Sequence, residues 1–224
     1  MAELYLTLSP EERLQALGVA ATASGRPVYL LEKDIWVVWA LQGLFESKLG
    51  EHLVFKGGTS LSKGYDIVQR FSEDVDLTYD VRQIIPELAT GEPPLPKTNS
   101  QAKKWTKTVN ERLPPRLKDV VLPILQEHAK ATGVDVTFRL DNHVIYVDYV
   151  QLAKGSDYVP PWIKLEFGAR STGEPHETRD ITCDAAPHLP DLSFPTASPR
   201  IMLVLVGNLI RLASEAESRN VSIL

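Results

Sequence analysis

Apolar residues recur at three- and four-residue steps through Leu31, Ile35, Val38, Leu41, Phe45 and Leu49. That period is a helix with one buried face, and it predicts a helix from about Tyr29 to Leu49, closed by Gly50. Upstream, Ser9-Pro10-Glu11-Glu12 carries a helix start: Ser9 as N-cap, Pro10 at the first helical position, Glu12 completing a capping box. The helix it opens runs to about Ser24, where Gly25-Arg26-Pro27 stops it. Beyond Gly50 the period changes. His52-Leu53-Val54-Phe55 is an apolar run of strand length that enters Gly57-Gly58-Thr59-Ser60. Leu61, Tyr65 and Val68 then mark the inner face of a short helix, and Asp74–Tyr79 alternates as a strand.

Gly91-Glu92-Pro93-Pro94-Leu95-Pro96 is a turn-rich connector. Two helices follow, about Gln101–Arg112 and Arg116–Thr132, split by Pro114-Pro115. Val134, Val136 and Phe138 alternate with polar residues, Asp141-Asn142 supplies a turn, and Val144–Val150 returns as a second strand. A third strand spans about Trp162 to Gly168. Thr172–Arg179 reads as a polar loop, Pro187–Pro199 is proline-rich, and a last helix spans about Ile201–Ala216. Helices interspersed with several strands define an α/β or α+β chain, not an all-α one. Its expected parts are residues 1–90, a helical insertion at 91–133, and 134–224, forming one compact unit.

Composition narrows the class. Hydrophobic residues make up 43% and charged residues 24%, as in ordinary soluble proteins. No apolar run approaches the roughly 18–20 residues that span a bilayer. Met1-Ala2-Glu3-Leu4-Tyr5 lacks the features of a secretion signal, and the lone Cys183 has no intramolecular disulfide partner. A cytoplasmic protein is expected. The net charge of −5 argues against coating nucleic acid by bulk electrostatics. Locally, however, Lys103, Lys104, Lys107, Arg112, Arg116 and Lys118 crowd between Asn99 and Lys118, with Glu111 the only acidic residue among them. That segment reads equally as a solvated helix face or as a polyanion dock. The histidines at 52, 128, 143, 176 and 188 lack zinc-site spacing, and Trp36, Trp39, Trp105 and Trp162 read as packing residues.

Three short stretches carry candidate chemistry. Lys56-Gly57-Gly58-Thr59-Ser60 joins a strand to a helix, where free N–H groups and the helix dipole suit phosphate. Its spacing is not that of a Walker P-loop. In Ser72-Glu73-Asp74-Val75-Asp76-Leu77, strand geometry puts Asp74 and Asp76 on one face and Val75 and Leu77 on the other. Two adjacent carboxylates repel unless a cation stands between them, and a divalent ion with oxygen ligands resolves the conflict. In Trp162-Ile163-Lys164-Leu165-Glu166-Phe167-Gly168, Lys164 and Glu166 share a face, so Glu166 supplies a third carboxylate if this strand lies beside the first. Taken singly, each stretch also reads as a tight turn, an exposed strand edge, or a surface ion pair.

Their conjunction resembles the nucleotidyltransferase superfamily signature. Within it, Phe55-Lys56-Gly57-Gly58-Thr59-Ser60-Leu61-Ser62-Lys63-Gly64-Tyr65 and Arg70-Phe71-Ser72-Glu73-Asp74-Val75-Asp76-Leu77 are similar to the AbiEii/AbiGii-type, MenT-like toxins. Glu32-Lys33-Asp34-Ile35-Trp36-Val37 upstream, and Lys164–Ser171 with Glu174-Pro175 downstream, share that likeness. The resemblance implies a nucleotidyltransferase fold: a mixed β-sheet flanked by helices, here with a shortened helical C-terminal part. It implies Asp74, Asp76 and Glu166 as ligands of Mg²⁺ or Mn²⁺, with Asp76 also activating the acceptor hydroxyl. Lys56, Gly57, Gly58, Thr59 and Ser60 would hold the nucleoside triphosphate, aided by Lys63 and Arg70 on one helix face. Ser72 and Lys164 would orient substrate or neutralise charge. The implied activity is a metal-dependent nucleotidyltransferase toxin that modifies RNA, with the tRNA 3′ end as expected acceptor, blocking translation and held in check by a cognate antitoxin. Asp180 and Asp184 are the candidates for a fourth-motif aspartate. Two alternatives stay open: a nucleotide- or partner-binding protein on the same fold with impaired chemistry, and an enzyme that modifies a protein hydroxyl.

Overall fold

The computed structural model describes residues 2–66, 74–92, 94–153, 160–170 and 175–202. Helix α1 (Pro10–Ser24) opens on the expected capping box: Glu12 N donates to Ser9 Oγ at 3.3 Å, and Ser9 N donates to Glu12 Oε2 at 2.9 Å. It closes at Gly25 in the left-handed conformation. Helix α2 (Val28–Phe45) stops short of Leu49 because Ser47 accepts a hydrogen bond from Leu49 N and starts a separate 3₁₀ turn, Lys48–His52. Almost all of α2 is buried, including Glu32, Lys33 and Asp34, so it threads the interior instead of lying on it.

Strand β1 (Leu53–Lys56) leads into helix α3 (Gly57–Tyr65), and strand β2 (Asp74–Asp80) follows. Helix α4 (Asn99–Arg116) does not break at Pro114-Pro115; it continues through a π-helical turn, Leu117–Val121, into α5 (Leu122–Thr132). Each proline removes one N–H and crowds the carbonyl four residues back; for Pro123 that carbonyl, of Asp119, lies within the wider π turn. Strands β3 (Val136–Asp141), β4 (Val144–Tyr149), β5 (Trp162–Arg170), β6 (His176–Thr178) and β7 (Arg200–Met202) complete the chain's main elements.

These strands form one seven-stranded sheet in the order β3-β4-β5-β2-β1-β7-β6. The β5/β2 and β1/β7 pairs are parallel and the others antiparallel, so the sheet is mixed. One face, with Phe55, Val75, Leu77, Ile145, Val147, Ile163, Leu165 and Phe167, meets α2 in the main core, where Trp36 stacks on Tyr149 at 5.3 Å.

Three expectations are corrected. His176–Thr178, read as loop, is an edge strand whose largely exposed polar side chains give no apolar alternation to mark it. Arg200–Met202 is a strand and not a helix start, because Ile201 pairs with Phe55 on one side and Glu177 on the other. The rest of the expected last helix lies outside the described residues. Helix α3 ends at Tyr65, where Asp66 turns left-handed at φ 53° and donates its N–H to Leu61 O and Ser62 O. Val68, Arg70 and Ser72 lie outside the described residues.

Candidate active site

The parallel register of β2 and β5 sets Asp74 opposite Lys164 and Asp76 opposite Glu166. Val75, Leu77, Ile163 and Leu165, turned to the other face, are fully buried. Alternation along each strand thus anchors four charged side chains in a two-by-two block at one end of the sheet's centre. Neighbouring strands stand about 4.8 Å apart and alternate residues about 6.6 Å apart, so each charge senses the others. On its other side Asp76 pairs in register with Lys56 of β1. Asp76 is the half-buried centre of this group; the side chains of Asp74 and Glu166 are 53% and 39% exposed and open to solvent.

Burial pushes the Asp76 carboxyl above the usual aspartate range; Lys56 pulls it back, and the charges of Glu166 and Asp74 push it up again. Lys164 partly relieves the crowding. Its ammonium pairs with Glu166 and lies 3.9 Å from Asp74 Oδ1, and the hydrogen bond to Glu166 holds it above the ordinary lysine range. Three carboxylates are the donor chemistry of a hard divalent cation. As the side chains stand, no three His, Cys, Asp or Glu groups converge to hold one among the described residues, since Glu166 turns to Lys164. Register and charge fit such an ion.

The glycine turn faces this block. Gly57 has φ +79°, a conformation other residues adopt only with strain, and a Cβ there would stand 3.0 Å from Asp76 Cγ and closer still to its Oδ2. Only a glycine lets the turn press against Asp76. Gly58 differs: it is exposed, and a Cβ on it would meet nothing within 4 Å, leaving an open approach to the first turn of α3. Thr59 Oγ1 donates to Asp74 O at 2.6 Å, tying that turn to β2. Ser60 is fully buried, and its hydroxyl donates to Gly57 O at 2.8 Å, bracing the turn from inside.

Lys63 occupies a different place from the one expected. Its side chain is 8% exposed, and its ammonium is held between Asp34, itself 1% exposed, and Asp184, at 2.7 Å from Asp184 Oδ1. Asp184 also pairs with Arg26 and donates its backbone N–H to Asp34 Oδ2 at 2.7 Å. Burial alone lowers the Lys63 ammonium, but the two carboxylates outweigh it and hold it above the ordinary range. For Asp34, burial pushes the carboxyl up against the pull of Lys63. The network joins α2, α3 and the turn at Cys183–Ala186 behind the glycine turn. Its neighbours on α2 serve as further brackets: Glu32 accepts the Leu152 N–H at 2.8 Å, and Lys33 donates to Pro160 O at 3.1 Å. Hydrophobic spacing did not reveal these roles. The available signal was three successive charges inside an otherwise apolar helix, Leu30-Leu31-Glu32-Lys33-Asp34-Ile35-Trp36. Asp180, the other fourth-motif candidate, lies apart and accepts from Ser198 Oγ at 2.6 Å.

Residues 39–204 match the family described as nucleotidyl transferase AbiEii toxin, type IV TA system. That match takes in most of the chain, and the chain belongs to this family. Among solved structures the chain is similar to MenT4, nucleotidyltransferase toxin Rv2826c from Mycobacterium tuberculosis H37Rv, at 19% identity and a TM-score of 0.43. The alignment covers 86% of this chain and 54% of that one, so this chain spans about half of its length. No curated protein matches. Among the described residues no helix is long and apolar enough to cross a membrane.

Proposed function

We propose that this chain transfers a nucleotide from a nucleoside triphosphate to RNA, with the 3′ end of tRNA as acceptor, and thereby blocks translation in the cytoplasm until its antitoxin restrains it. The observation that carries the reading is the register of β2 and β5, which gathers Asp74, Asp76, Lys164 and Glu166 beside the glycine turn.

In this reading Asp74, Asp76 and Glu166 hold Mg²⁺ or Mn²⁺, which when bound neutralises phosphate charge. The open approach at Gly58, the start of α3 and Lys56 seat the triphosphate, with Thr59 and Ser60 holding the turn in shape. Asp76 sits centrally and accepts the proton of the acceptor hydroxyl as its oxygen attacks the α-phosphorus; pyrophosphate departs. Lys164, released from Glu166, turns to phosphate oxygens. The exposed Lys103, Lys104 and Lys107 of α4 present positive charge to the RNA backbone.

The test is incubation of the protein with radiolabelled ATP, CTP, GTP or UTP and total tRNA, alongside Asp76→Asn. Label on tRNA with the parent protein, and its loss in a folded Asp76→Asn variant, is the expected result. Undiminished labelling by Asp76→Asn refutes the assignment; triphosphate binding without transfer to RNA or protein marks a binding protein instead.

A further inference from the structure

A cleft of about 400 Å³ lies between α4, Val81 just beyond β2, and the far end of β5. Trp105, Val109 and Asn110 of α4 line one side, Gly168 and His143 the other, and Leu95 of the connector borders it. None of these residues belongs to the charged block described above. The cleft is nonetheless close to it: Gly168 is the next residue after Glu166 on the same face of β5, about 6.6 Å further along.

Three features define what the cleft can hold. Trp105 is only partly buried, unlike Trp36 and Trp39, so an aromatic surface remains on offer. Polar groups stand beside it. Asn110, exposed on α4, and His143 both line the cleft. His143 is fixed there because its carbonyl accepts the Phe167 N–H at 2.9 Å. Finally, a Cβ on Gly168 would meet no atom within 4 Å, so the missing side chain is open volume.

A flat aromatic heterocycle with ring donors and acceptors meets all three conditions. The cleft also continues across Ala102, Thr106 and Asn110 into a second groove bordered by Lys103, Lys107 and Glu111, where the two lysines suit the backbone phosphates of an RNA strand. We propose that this cleft receives a nucleobase, stacked near Trp105 beside Asn110 and His143. The base belongs either to the incoming nucleoside triphosphate, whose phosphates then reach back to the glycine turn, or to the terminal residue of the RNA acceptor, whose backbone then runs along Lys103 and Lys107. The naming of these two sources rests on the proposed transfer reaction; occupancy of the cleft does not.

The experiment uses the full chain with ¹⁵N-labelled tryptophan, the Trp105 indole signal being assigned by its loss in Trp105→Phe. The probes are the four nucleosides, the four nucleoside triphosphates and a short single-stranded oligoribonucleotide. The Trp105 signal is expected to move and saturate. A response to triphosphate at lower concentration than to oligoribonucleotide assigns the base to the incoming nucleotide, and the reverse order assigns it to the acceptor. Trp105→Ala, followed by equilibrium dialysis of the probe that binds tightest, weakens binding at least about fivefold. Gly168→Val fills the cleft from the strand side and weakens binding similarly while the Trp36 and Trp39 signals stay in place. Asp76→Asn leaves nucleoside binding intact even where transfer is lost, which separates this inference from the catalytic reading. A Trp105 signal that stays still with every probe at millimolar concentration, or undiminished binding by Gly168→Val, overturns the proposal.

Discussion

Substituting the two turn glycines one at a time should give opposite results. At Gly57 the backbone sits at φ +79°, and any residue with a Cβ loses about 1–2 kcal/mol in that region. For a chain of this size that corresponds to a fall of roughly 2–8 °C in melting temperature. The added methyl also claims space held by the Asp76 carboxylate, so that side chain must move. A displacement approaching 1 Å at a reacting group costs transfer on the order of 100-fold. Gly58 has neither feature: its φ is not positive and its Cβ direction is empty. Alanine there favours the helix by up to about 1 kcal/mol, leaves the melting temperature level or slightly raised, and obstructs the phosphate approach. Differential scanning calorimetry and a labelled-nucleotide transfer assay, run on both variants, read the two effects separately. If Gly57→Ala keeps both its melting temperature and its transfer rate, the contact between turn and carboxylate is not what holds the site together. If Gly58→Ala binds triphosphate as the parent does, phosphate is seated elsewhere.

Two further predictions concern the frame around the site. Lys63→Met leaves Asp34 buried beside Asp184 without its cation and should cost about 3–5 kcal/mol in urea unfolding, with part recovered by adding Asp34→Asn. A loss under about 1 kcal/mol is incompatible with a buried bridge. His128 packs on Trp39 at 4.9 Å and against Gly43, and burial holds its imidazole below the ordinary histidine range. The native state therefore binds that proton more weakly than the unfolded chain. Stability from this group is complete above the unfolded value of about 6.5 and lost as pH falls through the window below it. Melting temperature should decline from pH 7 to pH 5 in the parent and decline less in His128→Gln; parallel curves would argue otherwise.

Local rules made much of the chain legible. The capping box at Ser9–Glu12, the alternation of Asp74–Leu77 and of Ile163–Phe167, and the glycine turn between strand and helix are each set by neighbours within about one turn or one strand. Those rules also identified the charged residues that later gather and the family that they mark. Errors arose where the local signal was ambiguous. Ile201-Met202-Leu203-Val204-Leu205-Val206 is apolar throughout and suits helix or strand equally, and pairing with Phe55 decided for a strand at its start. Pro114-Pro115 normally ends a helix, but α4 continues through the wider turn that follows it.

Other features belong to tertiary structure alone. Lys63 looks like any surface lysine until Asp34 and Asp184, from distant parts of the chain, enclose it, and Trp105 looks like a packing residue until the cleft beside it is seen. The residue types along β2 and β5 dictate which side chains can share a face. Which strand lies beside which, and in what register, follows from burying the whole apolar face against α2. That choice minimises free energy over the entire sheet, so no short stretch of residues encodes it.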